Sequence, residues 1–143
     1  MYRLVVARIV RRTYRHLTRE DHARVVGQFG PSARLLFAGD HALGGERRGP
    51  DQIADWFRRV FELFPDLRLE PDEILVSGWP WNTRVAVHFR VRATLNNGEP
   101  YENEGMQLLR LRWGRAVEDY LFEDTQKLAA ALAIQTGRDP LAA

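Results

Sequence analysis

The side chains able to do chemistry in this sequence are carboxylates, phenols, amides and imidazoles, because it contains no cysteine to act as nucleophile or thiolate ligand. Asp40 stands beside Gly39, Asp124 stands directly before an apolar helical run, Tyr14 sits in an apolar stripe, and Gln107 lies in a strand-like segment. Proton transfer is the chemistry open to such a set. Removing a proton next to a carbonyl needs a desolvated carboxylate whose pKa is raised toward the working pH, and the developing oxyanion needs a neutral donor. Each residue also has a plainer role: Asp40 as an Asx-type turn residue, Tyr14 as a core tyrosine, Gln107 as a strand glutamine bonding its neighbours, and Asp124 as a helix N-cap. His88 falls on a strand with unlike faces, where a slip of one residue decides whether it looks inward.

The elements that must position these residues follow from hydrophobic period. Val6, Val10, Tyr14 and Leu17 recur at helical spacing opposite Arg8, Arg11, Arg12, Arg15 and Arg19, which predicts an amphipathic first helix. Thr18 and Asp21 predict a second short helix that Gly30-Pro31 must end. Ala33 to Phe37 predicts a strand, and Gly44, Gly45 and Gly49 a loop. Pro50 and Asp51 open a third helix with the apolar face Ile53, Phe57, Val60, Phe61 and Phe64, and Pro65 stops it. From Leu67 the period changes to two: Val85, Val87, Phe89 and Val91 alternate with Ala86, His88, Arg90 and Arg92. Asn97-Gly98 and Trp113-Gly114-Arg115 predict hairpin turns, and Gly78-Trp79-Pro80-Trp81 joins an earlier strand to the alternating one. A last strand, Ala116 to Phe122, leads into Asp124 and a final helix toward Gly137.

Helices followed by a long antiparallel run predict an α+β fold, with helices covering a curved antiparallel sheet. One domain is expected over residues 1–137, and residues 138–143 are expected to form a flexible tail. A curved sheet closed by helices need not fill its concave side, so an internal pocket is expected there. Its expected lining is Phe37, Trp56, Phe57, Phe61, Trp81, His88 and Phe89.

Two runs carry a family resemblance. Asp40-His-Ala-Leu-Gly-Gly-Glu-Arg-Arg-Gly49 with Ile53 and Phe57, and Arg110-Leu-Arg-Trp-Gly-Arg-Ala-Val-Glu-Asp-Tyr120 ending at Asp124, resemble parts of the SnoaL-like and ketosteroid-isomerase-like branch of the nuclear-transport-factor-2-like superfamily. The first is similar to that family's strand, Arg-Gly loop and third helix, and the second to its last hairpin. The resemblance covers most of the chain and specifies a fold, a cone-shaped α+β barrel with an internal pocket, better than an activity. It implies that Asp40 is the carboxylate that moves a proton between carbons and that Tyr14 is the hydroxyl donor to the enolate oxygen. It implies that Gln107 stands where the isomerases keep a protonated carboxylic acid, and that Asp124 matches the acid–base carboxylate of polyketide cyclases. Gln107 departs from the pattern: its amide can donate but cannot share a proton, which counts against steroid isomerisation itself. The resemblance also implies a homodimer.

Composition narrows the remaining classes. The sequence has 143 residues, 45% of them hydrophobic and 28% charged, as expected of one globular domain. Its net charge is only +2 and nineteen acids are interleaved with the arginines, so no nucleic-acid partner is expected. The apolar run Leu4 to Val10 is broken by Arg8 and has neither signal-peptide order nor spanning length, so no membrane partner is expected. With no cysteine, a cytoplasmic location is expected. His16, His22, His41 and His88 lack paired ligand spacing, and Gly44-Gly45 lacks the lysine and hydroxyl of a phosphate loop, so neither metal nor cofactor is expected.

The resulting expectation is a cofactor-free isomerase or polyketide-cyclase-like enzyme doing acid–base chemistry on a small apolar carbonyl compound. Asp40 is the expected base, Tyr14 and Gln107 the donors, and Asp124 a second carboxylate. Two alternatives stand beside it: a non-catalytic module that binds a small apolar ligand or a protein, and an epoxide-hydrolase-like enzyme whose Asp40 or Asp124 activates water.

Overall fold

The computed structural model describes residues 1–137, so the tail expected at 138–143 lies outside the described residues. The elements are α1 (Tyr2–Arg15), α2 (His22–Val26), β1 (Phe29–Phe37), β2 (Gly45–Arg48), α3 (Gly49–Leu63), β3 (Arg68–Trp79), β4 (Asn82–Thr94), β5 (Pro100–Arg112), β6 (Arg115–Glu123) and α4 (Thr125–Thr136). The strands form one sheet in the order β2-β1-β6-β5-β4-β3. Every neighbouring pair is antiparallel except β1 and β6, which run parallel. The parallel pair follows from topology: β1 and β6 are joined by the whole intervening chain, and such a connection can return a strand in the same direction where a tight hairpin cannot.

The helices form as their periodicity dictates. Val6, Val10 and Tyr14 of α1 are buried while its arginines stay exposed. In α3 the buried face is Ile53, Trp56, Phe57, Val60 and Phe61, and the helix stops at Phe64, the residue that Pro65 biases away from helical backbone. These faces meet the inward rows of the sheet in a single core. On β4 the row is unbroken: Thr83, Val85, Val87, Phe89, Val91 and Ala93 point in, and Arg84, Ala86, His88, Arg90 and Arg92 point out.

Two differences from the sequence reading concern pairing. Gly45–Arg48, expected as loop, is an edge strand on β1, fixed by an Arg34–Glu46 ion pair of 2.5 Å. Its charged residues show no alternation because it has no buried face. β1 begins at Phe29 rather than Ala33, with a register shift between Phe29 and Arg34 that accommodates Pro31 in the strand. Further shifts between Pro71 and Glu73 in β3 and between Arg110 and Leu111 in β5 bend the sheet. The β5–β6 turn uses positive φ at both central residues, Trp113 at 51° and Gly114 at 80°, the geometry that matches strand twist in a two-residue hairpin. No helix among the described residues is long and apolar enough to cross a membrane.

Candidate active site

The concave face of the sheet and the helices enclose a cavity of about 130 Å³. Its exposed lining residues, Ile9 on α1, Gln28 after α2 and Gly114 in the β5–β6 turn, mark the mouth. The walls are aromatic and aliphatic, with Phe37, Trp56, Phe57, Phe61 and Phe89 among them. No lysine, arginine or histidine lines it among the described residues, yet two carboxylates do: Asp119 and Glu123, both on β6.

Asp119 is positioned by the alternation of its strand and is only 4% exposed. It lies at the same cavity as Tyr14 and Gln107, and the three side chains form a chain of hydrogen bonds. The Tyr14 hydroxyl donates to Gln107 Oε1 at 2.7 Å, and Gln107 Nε2 donates to Asp119 Oδ1 at 2.8 Å. The second oxygen of Asp119 makes no hydrogen bond within the described residues, and no buried side-chain oxygen is sealed without a partner. That oxygen therefore opens on the cavity. Burial raises the Asp119 carboxyl from 3.8 to about 7, opposed by the bond from Gln107. Burial also raises the Tyr14 hydroxyl, helped by the negative charges of Asp119 and Glu123, so it stays a neutral donor.

Glu123 is two strand repeats further from the mouth. Burial raises it from 4.5 to about 7. It lies 3.4 Å from Asn103 Nδ2, which donates to the Tyr101 hydroxyl at 2.8 Å and to the Asp124 carbonyl at 3.1 Å. Gly105 makes room for this end of the cavity. A Cβ there would lie 2.7 Å from Phe89 Cζ and 2.8 Å from Glu123 Cγ, and against the Phe122 carbonyl.

The other expected site residues lie elsewhere. Asp40 is an exposed residue of the β1–β2 connection and does not line the cavity, because its side chain follows the surface turn that His41 closes by bonding the Ala38 carbonyl at 3.0 Å. Asp124 caps α4, its Oδ1 accepting from the amides of Gln126 at 3.1 Å and Lys127 at 3.3 Å. His88 is on the outward row of β4, between Asp72 at 3.7 Å and Glu104 at 3.2 Å. Trp81 is in the β3–β4 turn, 57% exposed and stacked on Trp79. Both leave the cavity lining for the same reason: strand register and turn position, not residue type, decide which way a side chain faces. Among the described residues no cluster of three or more acids and histidines could hold a metal.

Asp119, Glu123, Tyr101 and Asn103 were not singled out from the sequence. The available signal was the two-residue spacing of Asp119, Leu121 and Glu123, but the opposite row, Glu118, Tyr120 and Phe122, is no more polar, so the inward face was hidden.

Residues 10–119 match the family described as the SnoaL-like domain. No curated protein matches the chain. Among solved structures, an NTF2-like protein of unknown function from Burkholderia pseudomallei K96243 is similar, with 27% identity, a TM-score of 0.76, and coverage of 87% of this chain and 95% of that one. A candidate SnoaL-like polyketide cyclase from Jannaschia sp. CCS1 has 21% identity and a TM-score of 0.63, covering 82% of this chain and 80% of that one. A candidate isomerase from Rhodopseudomonas palustris has 15% identity and a TM-score of 0.68, covering 93% and 96%. These last two likenesses concern the fold alone.

Proposed function

This chain belongs to the SnoaL-like domain family, and we propose that it catalyses an acid–base isomerisation or cyclisation of a small uncharged carbonyl compound, with Asp119 as the base. The observation that carries this reading is a carboxylate buried at an apolar cavity, bonded by one neutral amide and paired with no cation among the described residues. A group held at about 7 is partly ionised at neutral pH, which suits a residue that must take a proton and give it back.

The ionised Asp119 takes a proton from the carbon beside the carbonyl, and the electron pair of that C–H bond moves onto the carbonyl oxygen. Donors for the resulting enolate are the Tyr14 hydroxyl, turned from Gln107, and the second amide hydrogen of Gln107. The protonated Asp119 then returns its proton to another carbon of the same framework, giving an isomer. In a cyclisation the enolate carbon instead attacks an internal carbonyl, and the proton goes to the new alkoxide. Either route is balanced without an oxidant or reductant.

Acetophenone in deuterated buffer tests the reading, because a base beside its carbonyl exchanges the methyl protons. Asp119→Asn should lower that exchange by roughly 100-fold or more, and Asp40→Asn should leave it unchanged. Equal exchange by the wild type and Asp119→Asn would remove Asp119 from the role.

The same reading extends to assembly as a homodimer. A cross-strand row on the outer face, Leu75, Ala86, Leu108, Tyr120 and Leu36 in register, is apolar, with Leu75 60% and Leu108 43% exposed. Such a row supports association through the sheet.

A further inference from the structure

The polar groups of the cavity fall into two sets of the same make-up. At the mouth side a carboxylate of β6, Asp119, is bonded by an amide of β5, Gln107, which is bonded in turn to a tyrosine, Tyr14. Deeper in, Glu123 of β6 lies 3.4 Å from the amide nitrogen of Asn103 of β5, which gives its shorter bonds to the Tyr101 hydroxyl and the Asp124 carbonyl. Both amides sit four positions apart on β5, as do both carboxylates on β6, so the two sets stand in the same diagonal relation across the ladder. Glu123 and Tyr101 both line the cavity, and Tyr101 is held by stacking on Phe64 at 5.5 Å. The mechanism above uses only the first set.

The sets differ in what they offer. Tyr14 spends its proton on Gln107, whereas the Tyr101 hydroxyl accepts from Asn103 and donates to no group among the described residues. We propose that Tyr101 and Glu123 form a second polar station at the inner end of the cavity, and that it binds the far oxygen of an uncharged single-ring substrate whose reacting carbonyl lies at Asp119. Four residues of strand separate the stations by ~13 Å. With a hydrogen bond at each end, that separation leaves room for one ring carrying oxygens at opposite positions. The cavity volume of about 130 Å³ is that of one ring; an engineered apolar cavity of ~150 Å³ takes benzene. Two carboxylates with no cation in the lining reject an anion. This inference rests on the cavity being the substrate site but not on Asp119 being the base.

The test compares three probes by calorimetric titration of the full chain: 4-hydroxyacetophenone, acetophenone, which lacks the distal oxygen, and the anion 4-hydroxybenzoate. The wild type should bind the hydroxyketone about tenfold tighter than acetophenone, and 4-hydroxybenzoate weakest. Tyr101→Phe should abolish the preference for the hydroxyketone while leaving the affinity for acetophenone unchanged. Glu123→Leu provides a second variant and should reduce the same preference. Equal affinities in the wild type, a preference that survives both substitutions, tightest binding of the benzoate, or no binding of either ketone at millimolar concentration would each overturn the proposal. Methyl exchange in the same samples separates the two readings: a hydroxyketone preference without exchange keeps the second station and sinks Asp119 as base, and exchange without preference does the reverse.

Discussion

Tyr14 on α1 and Gln107 on β5 lie 93 positions apart in the chain and share a hydrogen bond of 2.7 Å beside the cavity. Through its other end Gln107 reaches Asp119, so one amide holds both the phenol and the carboxylate. Gln107→Leu leaves the phenol without its acceptor and the carboxylate without its donor. Because the Gln107 bond is what lowers the Asp119 pKa against burial, its loss should move the base upward from about 7. The pH profile of acetophenone exchange should shift to higher pH accordingly. Stability should fall by about 1–3 kcal/mol, the cost of buried polar groups left unpaired, measured by urea unfolding with a circular dichroism control for the fold.

Asp119 also ties stability to pH. Its folded value of about 7 lies above the ordinary 3.8, so between those values the folded chain holds a proton that the unfolded chain has released. Stability therefore falls as pH rises through this window, and the favourable contribution is fully present only below about pH 4. Asp119→Asn removes the titration. The unfolding free energy of the variant should gain on that of the wild type as pH rises, by up to about 4 kcal/mol across the full window, with its melting temperature gaining from pH 5 to pH 8. A constant offset between the two proteins would show that Asp119 does not titrate in the folded state.

What the sequence made legible is what is local. The stripe Val6, Val10, Tyr14 fixes α1, the apolar face of α3 ends where Pro65 requires, and the alternation from Val85 to Val91 fixes β4 but not its facing, since the expected lining held both His88 and Phe89. Tyr14, Gln107 and the aromatic wall were recoverable because they lie on such segments or match a family position. The base was not. Its burial depends on β6 lying between β1 and β5, a parallel pairing with a strand near the start of the chain that no local pattern encodes. Asp40 and Asp124 match family positions, but Asp40 lies exposed in a surface turn and Asp124 caps α4.

Asp124 can be assigned by separating its two possible roles. Asp124→Ala removes the acceptor for the amides of Gln126 and Lys127 and should cost about 0.5–2 kcal/mol of stability. Asp124→Asn, which can still accept those bonds, should cost little. Neither should change methyl exchange per folded molecule, and a loss of exchange in the stable Asn variant would return Asp124 to the chemistry.

The outer row predicts the assembly. Leu108 is 43% exposed and sits between Ala86 and Tyr120 in register, so Leu108→Glu would put a charge into the middle of this apolar row and, in a symmetric pair, bring two such charges close. Light scattering of the wild type should give twice 16.6 kDa, and the variant should give the single-chain mass with an unchanged circular dichroism spectrum. A wild type that is monomeric at tens of micromolar would sink the dimer.

Gly105 lies between Asn103 and Gln107 on the inward row of β5, and its requirement is space. Gly105→Ala would place a methyl group 2.7 Å from the Phe89 ring and 2.8 Å from the Glu123 stem, and against the Phe122 carbonyl, which belongs to the sheet and cannot rotate away. Overpacking of this kind costs about 1–3 kcal/mol. The side chains have to move first, so the Glu123 end should be displaced while the Asp119 end, nearer the mouth, keeps its bond from Gln107. We expect Gly105→Ala to unfold at lower urea, to lose the preference for 4-hydroxyacetophenone over acetophenone, and to retain most of the methyl exchange. Full stability in the variant would mean that strand β5 can shift away from β6, and that the stations are less firmly set than the packing around Gly105 requires.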